Sequence, residues 1–379
     1  MNLNLDQISI GWLIISGLFV ISFLVQVFYY LFFYLRVSSG KKYKYGAPRK
    51  EPVSIVICAR NEAENLGRKL PLVLEQDYPE FEVIVVNDCS EDGTEQVLSR
   101  LKTRYTNLRS TIINKDAKFR HGKKLALTIG LKCAKYNWVL LTDADCSPAG
   151  PSWISQMQKH FVPSNDIVLG YGGYQKEKGL LNRIIRYDTF FIAMQYLSFA
   201  LAGIPYMGVG RNLAYRRQLF FKNRGFASHL KLESGDDDLF INEVATGDNT
   251  AVELSPEAHT YSIPHKTWKS WYRQKCRHLT TGYHYNGPAI FLLGLENASR
   301  LLFYLLFLIL LINKIILPYV IMIFLVRLVI CTIILNSGMN RLNEKKLLIF
   351  SPFFDIGILL LNIACLVSNL FTQKSSKWR

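Results

Sequence analysis

The sequence predicts an α/β domain with a mostly parallel sheet, set between apolar segments long enough to cross a membrane. Two observations carry this prediction. The block from about residue 50 to residue 288 begins with strand and helix patterns in alternation, and both ends of the 379-residue chain are strongly apolar. Alternation of this kind is typical of parallel sheets, because each crossover helix returns the chain to the same edge.

Short apolar runs in the first half of this block read as strands, and the segments between them carry apolar residues at helical spacing. We predict strands at residues 53–59, 81–86, 108–113 and 138–142, and helices at residues 62–74, 91–101 and 123–134. The carboxyl ends of parallel strands lie at one edge of a sheet, where ligands of open α/β sheets bind. Polar residues that follow these strands are therefore candidate site residues.

The N-terminal segment, residues 1–37, is predicted to be a transmembrane anchor. Residues 8–35 contain no charged side chain, and an apolar run of this length can span a bilayer with some tilt. Several basic residues follow at once: Arg36, Lys41, Lys42, Lys44, Arg49 and Lys50. By the positive-inside rule this flank is cytoplasmic, so the N-terminus faces out and the following domain, residues 50–288, is cytosolic.

The C-terminal region, residues 289–373, is predicted to hold two to three more membrane helices. Its apolar runs are at residues 301–312, 315–335 and 347–371. Three spans place the basic tail outside, against the charge rule, whereas two spans and one re-entrant or interfacial segment restore it. Glu296, Arg300 and Arg327 are costly in hydrocarbon, so we expect them to face protein, water or the interface.

Candidate site residues follow the predicted strands. Asp143 and Asp145 come directly after the last one, and carboxylate oxygens suit Mg²⁺ or Mn²⁺, which usually complete their shell with substrate phosphates. The alternative is an acidic, solvated turn. Glu62 and Asp88 follow the first and second strands, and Lys123 opens a helix, whose N-terminus favours anions. Helix capping or surface solvation would explain each alone, but together they predict one crevice.

Two later segments add polar groups. Asp236, Asp237 and Asp238 are adjacent, and their repulsion raises at least one pKa, which suits a general base. An acidic helix N-terminus is the alternative. Gln274 and Arg277 lie three residues apart, on one face of a basic, tryptophan-containing helix pattern that suits a lipid interface. An arginine there also suits phosphate oxygens.

Composition excludes some functions. A formal net charge of +16 is compatible with nucleic-acid binding, but much of this charge flanks membrane segments and we find no nucleic-acid module, so no nucleic-acid partner is expected. The seven cysteines include no CxxC pair, which argues against a zinc site and fits a reduced, cytosolic face.

Taken in order, the segments ARNE (59–62), NDCSEDGT (87–94), GKK (122–124), DAD (143–145), GxGxN (208–212), DDDL (236–239) and QxxRH (274–278) resemble membrane-bound glycosyltransferase family 2. The resemblance implies a GT-A fold that binds a nucleotide-diphosphate sugar. It also implies that Glu62 and Asp88 contact the nucleotide base, Asp143 the nucleotide, and Asp145 the metal on the diphosphate. Gln274 and Arg277 would line the acceptor and leaving-group site, and an aspartate of residues 236–238 would be the base.

Two positions depart from the family pattern. His278 stands where the family usually has tryptophan, which puts stacking on the acceptor in doubt, and Gly235 stands where a glutamate usually precedes the base. Alignment on Leu239 makes Asp236 the base and leaves Asp237 as the alternative. Glu233 is the next candidate if neither serves.

We therefore expect an inverting, metal-dependent glycosyltransferase, an integral protein of the bacterial inner (plasma) membrane. Its acceptor would be a lipid, a lipid-linked sugar or a growing polysaccharide. A non-catalytic, membrane-tethered sugar-binding or assembly protein is the rival from another class.

Overall fold

The computed structural model describes residues 9–39, 50–114, 122–232 and 234–371. The strands are β1 (Val53–Ala59), β2 (Phe81–Asp88), β3 (Leu108–Ile113), β4 (Trp138–Leu141), β5 (Cys146–Pro148), β6 (Ile167–Leu169), β7 (Gly172–Tyr174), β8 (Leu213–Arg216), β9 (Thr250–Val252) and β10 (Thr260–Ser262). All four strands predicted from the sequence are present.

The helices of the described residues begin with α1 (Ile10–Phe28), which runs through a π-helical stretch, Tyr29–Tyr34, into α2 (Leu35–Ser39). The others are α3 (Ala63–Leu74), α4 (Thr94–Arg104), α5 (Lys123–Cys133), α6 (Trp153–Gln158), α7 (Leu180–Leu201), α8 (Arg217–Lys222), α9 (Asp238–Val244), α10 (Trp268–Leu279), α11 (Gly287–Ile312), α12 (Leu317–Arg341) and α13 (Ser351–Phe371). Helix α4 starts later than predicted, because Asp92 lies before it and its carboxylate accepts the Thr94 amide at 3.0 Å.

The main sheet has seven strands in the order β3-β2-β1-β4-β8-β6-β9. Strands β3, β2, β1 and β4 are parallel neighbours, and β6 pairs with β9 in parallel. Strand β8 runs antiparallel to both of its neighbours. The predicted mostly parallel sheet is confirmed. A second, three-stranded sheet has the order β5-β10-β7.

Each face of the main sheet is covered by its own hydrophobic core. One core contains apolar residues of α3, α4 and α6. The other contains residues of α5 and α7 and continues into the apolar helices, where it includes Phe33, Ile334 and Phe354. Helix α5 packs tightly on the sheet, since a Cβ at Gly130 would lie 2.4 Å from a methyl carbon of Val56. The α/β domain and the apolar helices therefore share one packed interior.

Within the described residues, four helical segments are long and apolar enough to cross a membrane: Ile10–Ser39, Gly287–Ile312, Leu317–Arg341 and Leu348–Asn369. One of these candidate membrane helices is N-terminal and the other three follow the α/β domain. Helix α11 begins well before the predicted apolar run, because Glu296 and Arg300 lie inside the helix bundle and pair with each other at 3.3 Å. Arg327 is also buried in protein, as expected for a charged group at this depth.

Candidate active site

The topology brings the predicted site residues to one edge of the sheet. Strands β1, β2 and β4 are parallel, so the loops that follow them leave from the same edge. Strand β8 runs the other way, so that edge also receives the segment before it, with Leu213 paired to Leu141. This reversal delivers Gly210 and Arg211 to the crevice beside Asp143.

Asp143, Asp145 and Cys146 form the candidate metal position at the end of β4. Their potential ligand atoms all lie within 4.8 Å of one another. Burial and the neighbouring Asp143 raise the pKa of Asp145. Burial also raises the pKa of the Cys146 thiol, which contacts the Ser262 hydroxyl at 2.9 Å and stays protonated. Because only thiolates bind metals well, the usable donors are carboxylate oxygens. They fit a hard cation such as Mg²⁺ or Mn²⁺.

Lys123 joins two carboxylates across the crevice. Its Nζ lies 3.0 Å from Asp143 Oδ1 and 3.0 Å from Asp236 Oδ2. Burial would lower the pKa of Lys123, but Asp143 and Asp236 raise it well above its ordinary value. The ammonium is thus fixed as a cation between the metal position and the acidic cluster. The sequence predicted an anion site here, and the two carboxylates hold the lysine where such a site would need it.

The three adjacent aspartates occupy three different environments. Burial would raise the pKa of Asp236, but the ion pair with Lys123 outweighs it and lowers that pKa. Burial, Asp236 and Asp238 raise the pKa of Asp237 to about 7. Asp237 is also the partly exposed member of the set, whereas Asp236 and Asp238 are buried. The cluster therefore holds one permanent anion beside one carboxylate that titrates near neutrality.

Backbone geometry fixes how these carboxylates point. Asp237 is the N-cap of α9; its Oδ1 accepts the Asp238 amide at 2.8 Å and its Oδ2 accepts the Gly210 amide at 2.6 Å. Gly235, which replaces the family's glutamate, has φ +95°. A Cβ there would lie 2.4 Å from the Leu239 side chain. The tight turn before the cluster thus requires glycine.

Asp238 serves mainly to hold neighbouring elements together. Its Oδ2 accepts the hydroxyl of Tyr285 at 2.9 Å and that of Thr281, and its Oδ1 accepts the Leu239 amide at 2.8 Å. These contacts tie α9 to the segment after α10. Asp237 is the N-cap of α9, and Asp238 is its first helical residue.

Glu62 and Asp88 lie at the ends of β1 and β2, as predicted. Burial raises the pKa of Glu62, whose Oε2 accepts the Asn65 side chain at 2.6 Å. Asp88 is fully buried. Other polar groups of these two loops bond to each other, since the side-chain Oδ1 of Asn61 accepts the Glu91 backbone amide at 2.8 Å. The loops are held together at this edge of the sheet, beside the crevice.

Helix α10 carries Gln274 and Arg277 toward the same region. The Gln274 side chain accepts the Tyr174 hydroxyl at 3.4 Å, and Arg277 is half-buried. The His278 side chain, which stands where the resembled family usually has tryptophan, is accessible to solvent but lies beside the crevice, where desolvation and the nearby Arg277 and Arg211 lower its pKa. The structure therefore places both the QxxR pair and the substituted position at the crevice.

Sequence reasoning missed two cationic residues of the crevice, Arg211 and Lys69. The Arg211 guanidinium lies 4.6 Å from the centre of the Tyr174 ring. Burial would lower the pKa of Arg211, but Tyr174, Cys146, Asp143 and Asp145 raise it. Lys69 donates to the backbone carbonyl of Asp145. The only signal for Arg211 was its place inside the GxGxN segment, and Lys69 carried none.

Asn212, the last residue of that segment, is structural. Its Nδ2 donates to the carbonyls of Tyr171 at 2.9 Å and Ala258 at 2.7 Å, and its Oδ1 accepts the Trp153 indole at 3.0 Å. It has no exposed surface. Asn212 thus fixes the loop that presents Gly210 and Arg211, and does not itself face a ligand.

Part of the chain matches a known protein family. Residues 54–222 match the family model for glycosyl transferase family 2. The probable glycosyltransferase YdaM of Bacillus subtilis (strain 168) is 28% identical over 242 residues, 59% of this chain and 54% of that protein. The poly-beta-1,6-N-acetyl-D-glucosamine synthase of Staphylococcus aureus (strain COL) is 27% identical over 161 residues, 42% of this chain and 38% of that protein. The chain spans about half or less of the length of these relatives.

A solved structure supports the fold. The mannosyltransferase PcManGT from Pyrobaculum calidifontis, in complex with GDP-Man and Mn²⁺, has a TM-score of 0.61 and 19% sequence identity. The match covers 96% of this chain and 99% of that one. Together with the family match, it confirms the predicted GT-A fold.

Proposed function

The chain contains a glycosyl transferase family 2 domain at residues 54–222, and we propose that it acts as a membrane-embedded, inverting glycosyltransferase. It moves a sugar from a nucleotide-diphosphate donor to a lipid, a lipid-linked sugar or a growing polysaccharide. Residues 1–37 would anchor the chain, residues 50–288 would form the cytosolic catalytic domain, and residues 289–373 would form the C-terminal membrane region. The bacterial plasma membrane is the proposed location.

The observation that carries the proposal is the set of carboxylates around Lys123. Asp143 and Asp236 lie on either side of its ammonium at 3.0 Å each. Asp145 shares the candidate metal position with Asp143, and Asp237 is the neighbour of Asp236 in the acidic cluster. One side of the crevice thus offers oxygen ligands for a cation, and the other offers a carboxylate of near-neutral pKa. A transfer from a diphosphate needs both.

On the donor side, we assign the nucleotide to Glu62, Asp88 and Asp143 and the diphosphate to the cationic groups. A divalent cation held by Asp145 and Asp143 would supply charge stabilisation for the diphosphate leaving group. Arg277 would bind the same phosphate oxygens through its planar fork of donors. Lys123 remains cationic, so it would stabilise negative charge without needing a proton transfer.

On the acceptor side, we assign the general base to Asp237. A base works best when its pKa lies near the operating pH, and the pKa of Asp237 is about 7. Asp236, favoured by alignment on Leu239, is instead held as the counter-ion of Lys123. The Asp237 carboxylate takes the proton of the acceptor hydroxyl while that oxygen bonds to the anomeric carbon and the bond to the diphosphate oxygen breaks. One displacement inverts the anomeric configuration.

The rival is a non-catalytic membrane protein that binds sugars or helps assembly. Such a protein would not need a carboxylate whose pKa is raised to about 7 by burial and by two neighbouring carboxylates, since this arrangement costs stability. The cluster at Asp236, Asp237 and Asp238 therefore favours the enzyme.

Nucleotide release tests the proposal. The full chain in lipid nanodiscs would be incubated with a panel of nucleotide-sugars, Mn²⁺ or Mg²⁺ and a membrane-lipid extract. We expect release of the nucleoside diphosphate from one donor class and a glycosylated product of inverted configuration, identified by mass spectrometry and NMR. Asp237→Asn should lose turnover, while Asp248→Asn, which alters an exposed loop aspartate, should keep it. Donor binding without turnover for any donor would favour the non-catalytic rival.

A further inference from the structure

An apolar groove lies where α10 meets α7 and α13. Its volume is about 430 Å³, within the range of roughly 300–1,000 Å³ typical of ligand sites. Its lining is almost wholly apolar and includes Ile184, Trp268, Trp271, Phe354, Gly357 and Ile358. One wall is the helix that carries Gln274 and Arg277, and another belongs to a helix apolar enough to span a bilayer. A groove in this position opens to lipid.

Tyr174 connects the groove to the crevice. Trp271 is buried in one cluster with Tyr174 and Ile185. The Tyr174 hydroxyl contacts Gln274 at 3.4 Å, and its ring lies 4.6 Å below the Arg211 guanidinium. This tyrosine thus lies between Trp271 of the groove wall and the polar groups Gln274 and Arg211.

The charge around the groove favours a ligand with an anionic head. No acidic residue occurs between residues 258 and 295, while α10 alone carries four lysines and arginines. Lys275 pairs with Asp188 at 2.6 Å. Lys269 lines the groove itself. An apolar cleft with a lysine in its lining and no acidic residue in its α10 wall matches an amphiphile with a hydrocarbon chain and a negative head.

We propose that this groove holds the hydrocarbon chain of an anionic lipid that carries the acceptor hydroxyl. The inference rests on the proposed glycosyltransferase function and narrows its acceptor to a lipid or lipid-linked sugar. The chain lies between α10 and α13, and the head group passes Tyr174 toward Gln274 and Arg277. Because the groove is fixed to the catalytic domain through α7, it sets how far the acceptor hydroxyl reaches toward Asp237.

Gly357 allows the groove to be filled without moving the backbone. A Cβ at Gly357 would meet no other atom within 4 Å, so Gly357→Trp places an indole in the groove. Gly294 offers the matched control: it lies on α11, outside the groove, and its Cβ would also meet nothing within 4 Å. Gly357→Leu is a milder filler, and binding of nucleoside diphosphate verifies that each variant is folded.

Alkyl phosphates test the site in the full chain, reconstituted in phosphatidylcholine nanodiscs. Each buried methylene adds about fourfold in affinity, so dodecyl phosphate should bind at least about a hundredfold more tightly than butyl phosphate. Gly357→Trp should weaken dodecyl phosphate at least about tenfold and remove most of this dependence on chain length. Gly294→Trp should change neither the affinity for dodecyl phosphate nor its dependence on chain length. Binding of nucleoside diphosphate should be normal in all variants.

Three binding results overturn the inference: unchanged dodecyl phosphate binding in folded Gly357→Trp and Gly357→Leu, no dependence on chain length, or equal competition by uncharged dodecanol. The last result would identify an ordinary contact with bilayer lipid. Failure of the proposed function looks different, since no sugar would then be transferred from any donor although the groove still binds dodecyl phosphate. Normal sugar transfer by the Gly357 variants would also overturn the groove as the acceptor site, but it would leave the proposed glycosyltransferase function intact.

Discussion

Two clusters of buried charge differ sharply in this molecule: the crevice around Lys123 and a network inside the apolar helices. In the network, Arg300 contacts Asp355 at 2.9 Å and Glu296 at 3.3 Å, and Arg327 contacts Asp355 at 3.1 Å. Two cations thus face two anions, and all four residues are almost fully buried.

The crevice is open where the network is enclosed. Its aspartates at positions 143, 145, 236 and 237 lie beside the cations Lys69, Lys123 and Arg211, and three of these aspartates are partly exposed. Burial and neighbouring charges separate their pKa values: the pKa of Asp236 is lowered, whereas those of Asp145 and Asp237 are raised. Enclosed, paired charge holds helices together, whereas partly exposed charge with perturbed pKa values is available for chemistry.

The largest expected effect is at Asp145. Asp145→Asn should reduce turnover at least about a thousandfold, since it removes a ligand from a position worth several kcal/mol of charge stabilisation. The melting temperature should not fall, because the change relieves repulsion with Asp143. Excess EDTA should silence the wild-type protein in the same assay, and added Mn²⁺ or Mg²⁺ should restore it. Full turnover in EDTA would show that the crevice needs no cation.

The next effect concerns the membrane network. Asp355→Leu leaves Arg300 and Arg327 without their shared carboxylate, so we expect a loss of about 3–5 kcal/mol in stability, the usual cost of breaking a buried pair. Thermal unfolding in detergent measures it. The double variant Asp355→Leu/Arg300→Met should lose less than the sum of the two single changes. Strict additivity would mean that the two residues do not act as one network.

The third effect separates the adjacent aspartates. Asp237→Asn should slow the chemical step at least about a hundredfold, the scale of a lost general base, with little change in donor affinity. Because the base acts when deprotonated, wild-type kcat/KM should rise with pH through about 7 and then level off. If Asp236→Asn removes turnover while Asp237→Asn is nearly normal, the alignment on Leu239 was the better guide.

The same residue has a signature in stability. The folded-state pKa of Asp237 is raised from 3.8 to about 7, so its ionisation opposes folding once the pH exceeds the unfolded value. Stability attributable to this group falls as pH rises from about 4 to about 7. Asp237→Asn should therefore melt at the same temperature as wild type near pH 4 and at a higher one at pH 8. A lower melting temperature at pH 8 would contradict the raised pKa.

The last prediction involves no loss of activity or stability. It uses thiol labelling to test which side of the membrane holds the crevice. Lys50→Cys lies just before β1 and Lys314→Cys lies between α11 and α12; both positions are exposed. An impermeant thiol reagent on intact cells should label the second and spare the first, while lysed membranes should allow both. The opposite pattern would place the catalytic domain outside.

The sequence predicted the strands and the polar residues at their ends because parallel order follows from alternating patterns. Asp143, Asp145 and Lys123 were therefore found. Arg211 was not, because the antiparallel direction of β8 leaves no mark in local sequence. Asp355 was missed for a similar reason: its partner Arg300 lies on another helix, and only the packing of α11 against α13 brings them together.

Other sequence predictions concern residues that the structure does not describe. The basic flank at residues 40–49, the possible base Glu233 and the basic tail at residues 372–379 lie outside the described residues. The family departure at Gly235, in contrast, now has a physical reason, since its positive φ excludes a glutamate without strain.

The most direct test of the contrast between the two clusters is turnover per folded molecule, measured for Asp237→Asn and Asp355→Leu beside wild type. We predict that Asp237→Asn stays folded and loses at least about a hundredfold in turnover. Asp355→Leu should lose stability, yet its folded fraction should turn over donor at nearly the wild-type rate. An active Asp237→Asn, or a folded Asp355→Leu without turnover, would contradict the account.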